Sequence, residues 1–139
     1  MNPFSLATKA LIVDKGKILL IKRRANDVHK PGVWDLPGGR ISFEEDPVEG
    51  IKREALEEAG IEIEVICPIG TKHFRRDDGQ LITGINFYCK LKGKNKITLS
   101  EEHTEYTWET ISTAKKKIYK DLLYLIENYE KMKSGEMFK

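Results

Sequence analysis

The sequence predicts an α+β domain with one mixed sheet sandwiched between helices. Three observations predict it. Strand-length apolar runs come first, one helix-period segment follows, and further strand patterns lead to a last amphipathic helix. The chain has 139 residues, the size of one ordinary domain. Hydrophobic residues make up 40%, enough to build a core on both sides of a sheet. No repeat, low-complexity stretch or linker divides residues 1–139, so they read as a single domain.

Ser5 to Val13 is an apolar, β-compatible run. Asp14-Lys15-Gly16-Lys17 signals a turn, and Ile18 to Lys22 is a second run, so the two form a hairpin. From Arg24 to Leu36 the pattern breaks around His29, Lys30 and Pro31-Gly32, giving a loop able to carry binding groups. The next helix is well punctuated. Asp46 is its N-cap, Pro47 suits the first helical position, and Glu49 completes a capping-box-like spacing. Gly60 suits the left-handed residue past its end. Val48, Ile51, Ala55 and Ala59 form an apolar stripe at helical spacing, which Leu56 widens.

Ile61 to Ile66 alternates as a half-buried strand does. Asp78-Gly79 is a hairpin signal between Thr71–Arg76 and Leu81–Leu91. Lys92 to Lys96 is a polar loop, and Glu105 to Ile111 is a short strand around Trp108. The last helix spans Lys120 to Lys133, with Leu122, Leu125, Ile126, Tyr129 and Met132 on one face. From Ser134 the chain is expected to fray.

The formal net charge is only +2, which lacks the electrostatic footprint of a nucleic-acid-binding domain. Cys67 and Cys89 are no disulfide framework; both read as small buried thiols in strands. With no secretory signal and no apolar run of membrane-spanning length, the expectation is a cytoplasmic protein without a membrane partner.

The chemistry concentrates in one run. Glu54, Glu57 and Glu58 stand at i, i+3 and i+4, so three carboxylates share one stripe of one helix. Their mutual repulsion penalises the helix unless a cation compensates it. Hard oxygen ligands after a Gly38-Gly39 turn suit Mg²⁺, with Mn²⁺ as a substitute. Such an ion would bind phosphate oxygens in turn.

Gly39, five residues, Glu45, seven residues, then Arg53-Glu54-Ala55-Leu56-Glu57-Glu58-Ala59-Gly60-Ile61 resembles the signature of the Nudix hydrolases. That pattern is Gly-x5-Glu-x7-Arg-Glu-(aliphatic)-x-Glu-Glu-x-Gly-(aliphatic), here at residues 39–61. Every defining position is filled, although Ala55 is small for its aliphatic place. The resemblance implies a Nudix-type α/β/α sandwich and a MutT-like enzyme. It implies a metal-dependent pyrophosphohydrolase that cleaves a nucleoside di- or triphosphate, or a nucleoside diphosphate linked to another moiety X. The products would be a nucleoside monophosphate plus pyrophosphate or phosphorylated X. Glu54, Glu57 and Glu58 would hold the metal, and the resemblance adds the carbonyl of Gly38. Gly39, Glu45, Arg53 and Gly60 would support the site structurally, with Arg53 orienting Glu57 or binding Glu45.

A further acid comes from a distant loop in that family. Glu101-Glu102-His103-Thr104-Glu105-Tyr106-Thr107-Trp108 resembles its Glu-His-x-Glu-(aromatic)-x-Trp segment. Glu102 is the first choice as metal ligand or general base, and Glu105 the second. Arg23, Arg24 and His29 resemble a stretch that MutT-like nucleoside triphosphatases place near substrate phosphates, and guanidinium suits phosphate. Successive strand residues face opposite ways, so one of the two arginines is expected to contribute. Trp34 and Phe74 are candidates to stack on a base. His73 and His103 lack metal-ligand spacing with each other.

Markers of some subfamilies are missing. No proline or tyrosine stands near Arg76–Gly79, where ADP-ribose and dinucleoside-polyphosphate members respectively carry them. No asparagine matches the one MutT-like members use on an oxidised purine. Homodimers are common in the family, so a second copy of the chain is a candidate partner. The rival readings are a catalytically silent Nudix-fold domain that senses a nucleotide or binds a protein, and an isoprenyl diphosphate isomerase. The intact glutamate set opposes the first. The second needs a pocket cysteine, and Cys67 and Cys89 lie outside the loops flanking the run.

Overall fold

A computed structural model describes residues 4–135. It shows a mixed sheet of seven strands with three helices. In chain order these are β1 (Phe4–Asp14), β2 (Lys17–Arg23), β3 (Trp34–Asp35), β4 (Gly38–Arg40), α1 (Pro47–Ala59), β5 (Glu62–Arg75), β6 (Leu81–Lys92), β7 (His103–Thr110), α2 (Ile111–Lys117) and α3 (Leu123–Ser134), with a 3-10 turn at Lys120–Leu122 before α3.

The middle of the sheet is the parallel pair β1–β6, and β5 and β2 extend it antiparallel on either side. β1 and β2 pair only beside their turn, at Val13–Ile18 and Asp14–Lys17. Away from the turn, β4 takes β1 at Ala7–Lys9 while β3 takes β2 at Ile21–Lys22. The fork between β1 and β2 therefore receives the Pro37-Gly38-Gly39 segment. β7 covers the far side of β2.

The long apolar run of β1 is buried on both faces, as its lack of alternation requires. Ala10 and Ile12 join Leu19, Ile21, Ile51, Ala55 and Phe87 under α1. Leu11 and Val13 join Leu20, Leu36, Leu125, Ile126 and Tyr129 under α2 and α3. The alternating side chains of one strand thus divide between two cores.

Several expectations need correction. Residues 62–66 and 71–75 of the two expected segments belong to one 14-residue strand, β5. Pro68 is tolerated because β5 is an edge strand with register shifts at Val65/Cys67 and Pro68/Gly70. Residues 111–117 form α2, whose N-cap Thr110 accepts from the Thr113 amide. Leu56 does not widen the apolar stripe; it is 57% exposed. The capping box does not close. Asp46 accepts from the Val48 amide at 2.9 Å, and Glu49 instead approaches Lys52 at 3.7 Å. Cys89 is buried but Cys67 only half-buried, with its sulfur 3.7 Å from that of Met132. Ser134 still belongs to α3, which ends on left-handed Gly135; the rest of the tail lies outside the described residues. Among the described residues, no helix is long and apolar enough to cross a membrane.

Candidate active site

Gly38 and Gly39, expected in a turn, instead lie in β4, which with the N-terminal part of β1, α1 and the loop before β7 encloses a cleft of about 510 Å³. Its acidic wall is set by α1. The Ile51, Ala55 and Ala59 side is packed on the sheet, so Glu54, Glu57 and Glu58 project toward the fork. Asp46 and Gly60 (φ +68°) fix the helix ends.

Gly38 and Gly39 sit directly on these acids. The Gly38 amide donates to Glu58 Oε1 at 2.8 Å. Gly38 has φ +150°, and a Cβ there would stand 2.0 Å from the Thr8 carbonyl oxygen. A Cβ at Gly39 would stand 2.9 Å from both Glu54 carboxylate oxygens. Only glycine lets this backbone reach the carboxylates.

Arg53 joins the acidic residues. Its guanidinium donates to both oxygens of Glu45, at 2.7 and 2.9 Å, to Glu54 at 3.1 Å, to Glu57 at 3.0 Å and to the Arg40 carbonyl at 3.1 Å. The fork geometry of guanidinium makes such a multipoint clamp possible. The clamp leaves Glu58 to other neighbours. Desolvation pushes Glu58 up to about 7, against the pull of Lys9 and the Gly38 amide. Desolvation raises Glu54 as well, opposed by Arg53. Two buried carboxylates held above their ordinary range are a ready place for a cation. All the donors are oxygens, which fits a hard divalent ion.

The loop before β7 is anchored on α1. The Thr98 amide donates to the Ala59 carbonyl at 2.9 Å and the Ser100 amide to the Glu58 carbonyl at 3.1 Å. The Arg24 amide donates to the Glu102 carbonyl at 3.0 Å. Glu102 therefore lines the cleft, and Glu58, Glu102 and His103 present ligand atoms within 4.8 Å of one another. Glu105 does not reach the cleft; it faces Lys22 across the strand pair at 3.4 Å.

The other expected contacts separate. Arg23 lines the cleft, gripped by Asp27 at 2.7 Å and Asp35 at 3.2 Å. His29 lines it too, with Nδ1 2.6 Å from Asp77. Arg24 and Trp34 are not among its walls. Arg24 Nε is enclosed without a partner, and Trp34 packs on the α2–α3 core between the ammonium groups of Lys22 and Lys117. Arg24 lies just past the end of β2, while Trp34 is held in β3 opposite Lys22 of β2.

Several contributors escaped sequence reasoning. Lys9 reaches Asp35 at 3.1 Å and the Leu36 carbonyl at 3.2 Å. Desolvation opposes ionisation of fully buried Asp35, but Lys9, Lys30 and Arg23 hold it down at about 2. A lone lysine in an apolar strand was the available signal. His103 is 5% exposed, neither ring nitrogen has a partner, and desolvation lowers it to about 4.

A second hollow of about 200 Å³ opens from the cleft. The two share Ala7, Lys9, His29, Lys30, Phe74 and Arg76. Its far end is walled by Tyr119, before α3, and by Tyr124 in the first turn of α3.

Two glycines of β4 pressed on helix carboxylates, inside a forked mixed sheet, define an oxygen-rich site suited to a divalent ion. The chain belongs to the NUDIX family: a family model described as NUDIX domain matches residues 3–129. It is 34% identical over 107 residues to a MutT-like protein of Streptomyces ambofaciens, covering 76% of this chain and 64% of that one. The chain is 31% identical over 109 residues to the nucleoside triphosphatase NudI of Klebsiella pneumoniae (strain 342), covering 70% and 76%. Among solved structures it is similar to a MutT protein of Methanosarcina mazei Go1, with TM-score 0.82 and 28% identity over 95% of this chain and 96% of that one.

Proposed function

We propose that this chain is a Mg²⁺-dependent pyrophosphohydrolase of nucleotides, with Mn²⁺ able to replace Mg²⁺. The single observation that carries the reading is the joining of Glu54, Glu57, Glu58 and Glu102 in one cleft beside Gly38 and Gly39. The relatives add support, since one is named as a nucleoside triphosphatase. The substrate is a nucleoside di- or triphosphate, or a nucleoside diphosphate linked to a moiety X, and one product is the nucleoside monophosphate.

Glu54, Glu57 and Glu58 would hold the ion, together with the Gly38 carbonyl. Once bound, it supplies Lewis-acid stabilisation of the anhydride and makes water more acidic. Glu102, on an exposed loop anchored to both α1 and β2, takes the proton from attacking water. Arg53 is a positioning residue that spaces Glu54 and Glu57 while Glu45 locks its other edge. Lys30 and Arg23 line the same cleft and offset phosphate charge. Most of the rate gain comes from this positioning and electrostatics.

Glu57→Gln tests the reading with a panel of nucleoside triphosphates in Mg²⁺ and Mn²⁺. The substitution should lower turnover by about a hundredfold or more, while circular dichroism stays unchanged. Equal turnover by the variant would overturn it. Tight nucleotide binding without any turnover by the wild type would favour a sensor instead.

A further inference from the structure

The hollow beyond the cleft has a fixed hydrogen-bond polarity. Asn86 on β6 is only 4% exposed and sits at its floor. The backbone amide of Lys9 donates to Asn86 Oδ1 at 2.9 Å. A backbone N–H can only donate, so the Asn86 amide cannot be flipped without losing that bond. Its Nδ2 then points the other way and donates to the Tyr124 hydroxyl at 2.8 Å. With that oxygen accepting, the Tyr124 proton is left free to donate. The second N–H of Asn86 is also a donor.

Lys72 adds to this excess. It stands two residues from Phe74 on β5, so both side chains share one face. Its ammonium lies 5.3 Å from the Tyr124 ring centroid and donates to the Asp121 carbonyl at 3.2 Å. It makes no ion pair among the described residues, so further N–H groups remain for a ligand. The acceptors of the hollow are compromised: Asp77 is bonded to His29, and Asp121 is exposed at the rim beside Tyr119.

The shape suits a flat ring. Ala7 and Gly84 face each other across the β1–β6 pair. A Cβ at Gly84 would come within 3.4 Å of Asn86 Nδ2, so glycine keeps that donor accessible. Phe74, Tyr119 and Tyr124 supply aromatic walls.

The geometry points to a hollow that selects nucleobases presenting a keto oxygen at purine C6 or pyrimidine C4, guanine, uracil and thymine, over the amino-bearing adenine and cytosine. This rests on the pyrophosphohydrolase reading only for where the phosphates lie. With phosphates at the glutamates, the base enters with the substituent farthest from the sugar leading. That substituent meets Asn86, Tyr124 and Lys72. A keto oxygen accepts from these donors; an exocyclic amine opposes them and leaves a buried donor unpaired. Lysine selects the acceptor edge of guanine by the same complementarity in nucleic-acid recognition.

Equilibrium binding of nucleoside monophosphates to the full chain, without divalent metal, reads the hollow independently of turnover. GMP and UMP should bind about tenfold tighter than AMP and CMP, the scale of one discriminating polar contact. Asn86→Asp reverses the chain of donors: Asp accepts from both Lys9 and Tyr124, whose oxygen then faces the ligand. The preference should move toward AMP and CMP. Tyr124→Phe, which removes one hydroxyl, should narrow the ratio without reversing it, and guards against a misfolded aspartate variant. Equal binding of all four monophosphates, tighter AMP or CMP binding, or an unchanged ratio in both variants would overturn the inference. Keto-selective binding with no turnover of any nucleoside di- or triphosphate or nucleoside diphosphate linked to X would leave the inference standing and defeat the enzymatic reading.

Discussion

Glu58 occupies the most demanding position of any single side chain in the cleft. It is 7% exposed, accepts from the Gly38 amide and is drawn toward ionisation by Lys9. Burial pushes its carboxyl up to about 7. In the unfolded chain it releases its proton near the ordinary carboxylate range, so between that range and pH 7 the folded state holds a proton the unfolded state lacks. The contribution of Glu58 is therefore most favourable at low pH and is lost as pH rises through 7. His103 acts in the opposite direction: burial lowers it to about 4, so it penalises the fold as pH falls below its ordinary value. The two slopes cancel near pH 5–6, and a comparison with Glu58→Gln separates them. In EDTA, wild type should lose up to about 3 kcal/mol relative to Glu58→Gln between pH 5 and pH 8. Urea unfolding at several pH values measures this, and a difference independent of pH would refute it.

At the scale of elements, α1 shows which local signals carry weight. Its N-cap bond from the Val48 amide to Asp46 is made, so Asp46→Ala should cost about 1 kcal/mol. Gly60→Ala should cost more, since φ is +68° and the new Cβ would stand 3.0 Å from Thr98 Cβ. Leu56→Ala should change stability by less than about 0.5 kcal/mol, because Leu56 faces solvent. Thermal unfolding of the three variants ranks them; a costly Leu56→Ala would mean the helix sits differently. This helix was legible because caps, spacing and the glutamate register all act within twenty residues. β5 was harder to read: Pro68 and its bulges break the period-2 pattern although pairing with β6 continues through them. The short helix α2 has Ala114 as its one buried residue, leaving too little apolar periodicity to detect. The site shows the same divide. Gly38, Glu54, Glu57 and Glu58 lie close in sequence, whereas Lys9, Asp35, His103 and Asn86 meet only through strand pairing. Arg24 and Trp34 do not line the cleft: Arg24 follows the end of β2, and cross-strand pairing with Lys22 holds Trp34 in β3.

For the whole molecule, the cleft ties separate layers together. Its acids come from α1 and from the loop before β7, and its glycines lie in β4 in the fork of the sheet. The net charge of +2 conceals this local concentration of carboxylates. A divalent ion bound there belongs to the folded state alone, because the unfolded chain cannot bring residues 38, 54, 57 and 58 together. Mass action then couples the ion to global stability: at a hundredfold excess over its dissociation constant it adds about 2.7 kcal/mol. For a chain of this length that corresponds to a rise of roughly 8–10 °C in melting temperature. The rise should appear without any nucleotide, grow with the logarithm of Mg²⁺ or Mn²⁺ concentration, and vanish with EDTA. Glu54→Gln should melt normally in EDTA yet gain little from the ion, since it loses a hard oxygen charge without losing side-chain volume. Scanning calorimetry across a metal titration decides the matter. An equal metal-induced rise in both proteins would place the ion elsewhere and remove the glutamate cluster as its site.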